Sequence, residues 1–188
     1  MSKVLHIRNN MLIFDIQIYL MSENKKIRNT TPFEAYGINF RSKLEGRLYK
    51  VFADNGLTPK YEEITFNILS GFYPKIPFYD VYYDKKLKKK VYGRSTYKVQ
   101  DITYTPDFTL MIDDILYIIE VKGKENDVFP FKKKLFRKWM EGYCKLTDRK
   151  MAYFEIFNKK QALETINLIK NNEIKFNSEN GETDEQSS

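Results

Sequence analysis

The sequence predicts an α/β domain with a mixed central β-sheet flanked by helices. Three observations carry that prediction. Two apolar, β-branched runs, Phe108–Ile112 and Ile115–Val121, are separated only by Asp113-Asp114 and read as a hairpin with a two-residue acidic turn. A strand-like run at 151–157 follows a helical stretch that opens at Pro130, so 115–157 has the strand–helix–strand order of a parallel right-handed crossover. Amphipathic helical spacing recurs before and after this block. At 188 residues the chain is long enough for one domain with a real core.

Residues 1–20 alternate apolar and polar around Phe14, Ile16, Ile18 and Leu20, a strand-like period of two. Asp15 and Gln17 interrupt any signal-peptide core, and no run is long enough to span a membrane. Met21-Ser-Glu-Asn-Lys-Lys reads as a second, more ordinary start, with 1–20 as an upstream extension. Residues 1–37 are expected to form an N-terminal extension, partly disordered, with 22–30 polar and mobile. Thr31-Pro-Phe-Glu34 has capping-box spacing and reads as a short helical turn. Ser42-Lys-Leu-Glu45 repeats the spacing and opens a better helix, with Leu44, Leu48, Val51 and Phe52 at i, i+4, i+7, i+8. Asn55-Gly56 ends that helix.

Residues 60–69 read as one strand, and Pro74 and Pro77 break the pattern after it. Residues 78–100 are rich in tyrosine and lysine and read as a hairpin or long arm with a basic tip. After the 108–121 hairpin comes a polar loop at 123–128. The helix from Pro130 to about Tyr143 places Phe131, Leu135 and Trp139 at core spacing. Residues 159–170 read as a helix packing through Ala162, Ile166 and Ile169. From Asn171 onward the chain is polar and acidic, with 173–188 expected to be a disordered tail.

Lys and Arg number 32 against 25 Asp and Glu, a net charge of +7. The segment 173–188 holds five acids and one lysine, which leaves the rest of the chain at +11. Such a balance favours a polyanion, nucleic acid before a membrane surface. One cysteine, Cys144, forbids an internal disulfide and fits a reducing, cytoplasmic compartment. With one Cys and one His there is no Cys/His zinc site and little basis for a Ser-His-Asp triad. Catalysis, if present, must rest on carboxylates, lysine and a metal.

Those groups occur together in the hairpin. Glu120 and Lys122 are two apart, so on a strand they share a face, while Ile119 and Val121 take the other. An acid and a lysine on an otherwise buried strand are costly unless they pair or meet an ion. Asp107, near the start of the partner strand, is placed to meet them. Two carboxylates and a lysine at a strand end suit holding a divalent cation and activating water beside a phosphate. Positive charge for backbone phosphates is available on Lys85, Lys86, Lys88, Lys89, Lys90, Arg94 and Lys98 of the arm, among which there is no acid. Lys132, Lys133, Lys134, Arg137 and Lys138 of the later helix supply more, as does Arg41.

Pro106-Asp107 followed by Glu120-Val121-Lys122 resembles the PD-(D/E)xK pattern of metal-dependent nucleases. The ordered set Phe40-Arg-Ser-Lys-Leu-Glu45, an amphipathic helix, Tyr61-Glu-Glu63, Tyr104-Thr-Pro-Asp-Phe108 and Glu120-Val-Lys-Gly123 resembles the bacteriophage endonuclease I family, which resolves four-way DNA junctions. The resemblance covers about residues 38–125. It implies a restriction-endonuclease-like core at 38–172 and activity inside a bacterial host cell. The chain departs from the family at 64–103, a long basic insertion where the family has a much shorter connection. The resemblance implies that Glu45, Asp107, Glu120 and Lys122 are catalytic. Asp107, Glu120, the Val121 carbonyl and Glu45 would hold Mg²⁺, with Mn²⁺ an expected substitute. It also implies a homodimer with exchanged segments acting on branched DNA. Rival readings are another PD-(D/E)xK nuclease of the transposon-end or linear-DNA type, a non-catalytic DNA-binding module, and a basic structural protein.

Overall fold

The computed structural model describes residues 32–123 and 129–176. The strand read at 1–20, the polar stretch 22–30, the loop at 124–128 and the tail at 177–188 lie outside the described residues. In chain order the elements are β1 (Phe33–Ala35), β2 (Ile38–Phe40), α1 (Lys43–Asp54), β3 (Lys60–Tyr61), β4 (Phe66–Leu69), β5 (Phe78–Asp84), β6 (Lys89–Ser95), β7 (Ile102–Tyr104), β8 (Phe108–Ile112), β9 (Ile115–Val121), α2 (Phe129–Thr147), β10 (Lys150–Ile156) and α3 (Lys159–Lys170). The protein is mixed α/β. Its described residues divide into two compact units, one formed by 32–61, 107–123 and 150–176, the other by 62–106 and 129–149.

The first unit is built on a four-stranded mixed sheet of order β10-β9-β8-β3. β8 and β9 form the expected hairpin, Phe108 opposite Ile119 and Ile112 opposite Ile115. Asp113 and Asp114 both take positive φ (47° and 63°), the geometry of a type I′ turn, whose twist matches the strands it joins. β10 pairs with β9 in parallel, Lys150 with Ile115 through Ile156 with Val121, so the expected parallel pair is present. One face of this sheet carries Phe108, Ile115, Tyr117, Ile119, Val121, Ala152 and Ile156, which cluster with Leu48 and Phe52 of α1 and Ala162, Ile166 and Ile169 of α3. Phe52, Phe108 and Ile119 are wholly buried. Each such side chain contributes about 1.5–3 kcal/mol through burial.

Both helices of this unit begin in the same way. Ser42 caps α1 by accepting from Glu45 N, and Asn158 caps α3 by accepting from Gln161 N. The side chain three residues into each helix then reaches back past the cap: Glu45 Oε2 accepts from Arg41 N and Gln161 Oε1 from Phe157 N. These bonds satisfy amides that the first turn leaves over.

Three expectations are corrected here. The capping-box segment does not start a helical turn in its described residues, 32–34. Phe33–Ala35 instead pairs with Ile38–Phe40 around Tyr36-Gly37, both at positive φ, and the tight turn overrides the capping-box spacing. The hairpin lies close against α1, where a Cβ on Gly46 would strike the Phe33 ring. Residues 60–69 are not one strand. Glu62 takes φ 45° and ends β3 after Tyr61, and β4 pairs with β7 rather than with the mixed sheet. The third correction concerns α2.

The second unit contains β4, β7, α2 and the β5–β6 hairpin. Phe66 and Tyr104 pack against Phe136, with ring centroids 5.1 and 4.2 Å away, and Trp139 stacks on Tyr143 at 4.9 Å. The buried face of α2 is therefore Phe129, Phe136, Trp139, Met140 and Tyr143. Of the expected stripe only Trp139 is inside; Phe131 is 71% exposed and Leu135 46%. The helix carries two apolar stripes sharing Trp139, and the rings of Phe66 and Tyr104 select the other one. It also runs four residues further than Tyr143, to Thr147. The arm at 78–100 is the expected hairpin. Asp84 Oδ1 accepts from Lys86 N and Leu87 N and closes its tip.

Candidate functional site

The first unit brings Glu45, Asp107, Glu120 and Lys122 together. Extending the β8–β9 register one step places Asp107 opposite Glu120, on the face turned away from the aliphatic cluster. Asp107 Oδ2 accepts from Val121 N at 2.7 Å, so a side chain continues the ladder where the strand pairing stops. Lys122 Nζ stands 2.6 Å from Glu120 Oε1, the same-face pair expected from their spacing. Lys122 N donates to Ile156 O at 2.9 Å, which fixes the backbone at the end of β9 against β10.

Glu45 enters from the first turn of α1. Its Oε1 accepts from Ser42 Oγ at 2.7 Å, and its Oε2 accepts from Arg41 N at 3.1 Å and from Tyr61 Oη at 2.7 Å. Both Glu45 and Glu120 are buried, at 8% and 5% exposure. Buried carboxylates survive only with donors around them, and the polar contacts at Glu45 are those donors.

Electrostatics single out Asp107. Removal from water pushes its pKa well above the ordinary carboxylate value, and the charges of Glu120 and then Glu45 push it further; the Val121 N–H and the Lys122 ammonium oppose the rise. The charges of two further acids and one lysine are thus felt at Asp107, which faces the carboxyl end of β9. Among the described residues no group of three or more His, Cys, Asp or Glu is arranged to hold a metal ion by itself. The donor chemistry is nonetheless that of a hard cation: carboxylate oxygens with excess negative charge. Mg²⁺ is commonly held by one or two carboxylates plus water and substrate phosphate rather than by a full protein cage, and Asp107 and Glu120 fit that pattern.

Two residues at the site escaped the sequence reading of chemistry. Tyr61 had only its place in a motif block; its hydroxyl meets Glu45 from 16 residues away. Glu155 is the register partner of Glu120 on β10 and so shares its face. Its signal was available: an acid within an otherwise apolar strand, as at Glu120. Arg41 is exposed beside α1 in the first unit. Lys85, Lys86, Lys88, Lys89, Lys90, Arg94 and Lys98 lie on or beside the β5–β6 hairpin. On α2, Lys132, Lys134, Arg137 and Lys138 are exposed, while Lys133 lies half-buried with its Nζ 5.3 Å from the Phe129 ring centroid.

Fold and site define a mixed α/β protein with an acidic cluster and a lysine at one sheet end. Residues 25–159 match a family described as protein of unknown function (DUF1064), and the chain belongs to that family. No curated protein and no solved structure is significantly similar to it. No helix among the described residues is long and apolar enough to cross a membrane.

Proposed function

We propose that this protein is a metal-dependent, structure-selective DNA endonuclease that hydrolyses phosphodiesters in branched DNA, on a core of the PD-(D/E)xK type. One observation carries the reading: Asp107 stands opposite Glu120 across β8–β9, with Lys122 on Glu120 and the Glu45 charge felt at Asp107. A purely structural sheet end has little use for an acid whose pKa is raised first by removal from water and then by the charges of two neighbouring acids.

Asp107 and Glu120, with the Val121 carbonyl, would hold Mg²⁺. When bound, it supplies Lewis acidity toward a phosphate oxygen and lowers the pKa of water. The protein's own groups do the rest. The Lys122 ammonium offsets negative charge developing on the phosphate. Glu45, pinned by Ser42, Arg41 N and Tyr61, holds the attacking water on the α1 side. Water oxygen bonds to phosphorus, the phosphorus–sugar oxygen bond breaks, and the leaving oxygen takes a proton. Lysines and arginines of the hairpin and α2 contact backbone phosphates, which position DNA without reading its sequence.

The test is nicking of a four-way junction, a flap and a linear duplex with Mg²⁺. The wild type should cut, the junction or flap faster than the duplex. Asp107→Ala and Glu120→Ala should bind DNA yet lose cleavage by at least about a hundred-fold, the upper end of what loss of a metal ligand's outer partner costs. Either variant cutting at the wild-type rate would sink the site assignment.

A further inference from the structure

The β5–β6 register sorts the arm into two unlike faces. Tyr79 lies opposite Arg94, Val81 opposite Tyr92 and Tyr83 opposite Lys90, so these six side chains share one face. Every one of them is exposed, Tyr92 at 73% and Tyr79 at 60%. The other face carries Tyr82, which meets the Tyr97 ring at 5.2 Å, together with half-buried Val91 and Gly93. It also carries the only acids of the two strands, Asp80 and Asp84. Three tyrosines left in water beside two cations, on a face without an acid, form a surface with a defined chemistry.

We propose that this hairpin face binds unpaired nucleotides, with Tyr79, Tyr83 and Tyr92 stacking on bases and Lys90 and Arg94 holding phosphates. Aromatic rings interleaved with cations are what a sequence-tolerant single-strand surface needs, because every base offers a π-face and every link a phosphate. Tyr79 and Tyr83 lie four apart on β5, and Tyr92 of β6 stands opposite the Val81 between them, so the three rings step along one face and offer three bases a stacking surface. A second copy of the chain is a poor occupant, since an isologous contact would bring the Lys90 and Arg94 pairs of both copies together on a face without an acid. A lipid surface is a poor one too: Val81 is the face's single aliphatic side chain, and interfacial binding scales with buried apolar area. The inference rests on the nucleic-acid reading above and names the part of a branched substrate, its unpaired strand, that this chain would select.

The experiment measures binding of the full chain in EDTA, where no cutting occurs, to a labelled oligothymidylate of about 20 nucleotides and to a blunt duplex. Tyr79→Ala/Tyr83→Ala/Tyr92→Ala should bind the oligothymidylate at least about ten-fold more weakly, and the duplex less than about two-fold more weakly. The corresponding triple phenylalanine variant, which keeps the rings, should bind as wild type does. Lys90→Gln/Arg94→Gln should lower the log–log salt slope on the single strand by about 0.7 per lost phosphate contact. An alanine variant with native circular dichroism and undiminished oligothymidylate affinity would overturn the proposal. So would a wild type that binds anionic phosphatidylserine vesicles but not the oligothymidylate, or an alanine variant whose sole defect is loss of a dimer. If the alanine variant does not fold, unchanged affinity and slope in Lys90→Gln/Arg94→Gln would overturn it instead. Cleavage by wild type with Mg²⁺ separates the two readings. A protein that cuts DNA while its alanine variant keeps full oligothymidylate affinity retains the nuclease reading and loses this one. A protein that neither cuts nor binds loses both.

Discussion

The Tyr61 hydroxyl donates to Glu45 Oε2 at 2.7 Å and accepts from Arg41 N at 2.9 Å, so one side chain of β3 fixes both the acid and the entry to α1. The helix could be capped by Ser42 alone; the tyrosine adds a third donor, beside Ser42 Oγ and Arg41 N, to those that orient the Glu45 carboxylate.

Tyr61→Phe removes that hydroxyl and keeps the ring, whose centroid lies 4.9 Å from Phe40 and 5.7 Å from Phe108. Arg41 N retains Glu45 Oε2 as an acceptor. The loss should be about 1 kcal/mol, or a Tm lower by about 2–4 °C. Cleavage should fall several-fold, less than in Glu45→Ala. A phenylalanine variant cutting as fast as wild type in single-turnover kinetics would show that the Tyr61 hydroxyl does not position Glu45 for catalysis.

Asp107 gives a pH dependence with an unusual sign. Its folded pKa lies above the ordinary value near 3.8, because burial and the charges of Glu120 and Glu45 outweigh the Val121 N–H and Lys122. Between those two values the native state holds more protons than the unfolded one. Stability therefore falls as pH rises through that window, and the whole cost is present above the folded pKa. Asp107→Asn removes the charge and keeps an acceptor for Val121 N. In EDTA at neutral pH its Tm should exceed that of wild type by about 2–4 °C, and the gap should close as pH approaches the ordinary carboxylate value. Mg²⁺ should raise the Tm of wild type and leave that of the variant unmoved. An asparagine variant less stable than wild type at neutral pH would contradict the charge argument.

The turn at Asp113-Asp114 suits replacement by Asn-Gly. Both positions take positive φ, which Asp tolerates less well than Asn or Gly. The double substitution should raise Tm by about 2–4 °C for roughly 1 kcal/mol. It lies at the far end of β8–β9 from Asp107 and Val121, so cleavage should be unchanged. A lower Tm, by thermal scan, would mean that the carboxylates do more than make the turn.

Neutralising Lys85, Lys86, Lys88, Lys89 and Lys90 together should weaken duplex binding and flatten its salt dependence by about 0.9 per lost phosphate contact. An unchanged slope would move duplex binding to α2, where Lys132, Lys134, Arg137 and Lys138 are exposed.

The last prediction concerns subunits. Within one molecule the charge of Glu45 is felt at Asp107, so with unexchanged subunits each site of a mixed dimer carries one defect. A hybrid of one Glu45→Ala chain and one Asp107→Ala chain, isolated through two different tags, should not nick a junction. A hybrid that nicks while both parents are dead would establish the exchanged homodimer that the sequence resemblance implies.

Much of this protein was legible without coordinates wherever a local rule decides. Asp113-Asp114 between two β-branched runs specified a two-residue hairpin, because so short a loop admits few turn types. Spacing of two put Glu120 and Lys122 on one face, and Ser42 with Glu45 marked the start of α1 at the residue where it begins. Tertiary contact decided the rest. Residues 60–69 look like one strand until Glu62 turns out left-handed and sends the chain to a different sheet. Phe131 and Phe136 are equally plausible core residues on α2, and only the rings of Phe66 and Tyr104 choose between them. The hydroxyl of Tyr61 on Glu45 and the register of Glu155 beside Glu120 depend on which strands become neighbours. Sequence periodicity fixes the face of an element but never its partner, because partners are chosen by packing between segments far apart in the chain.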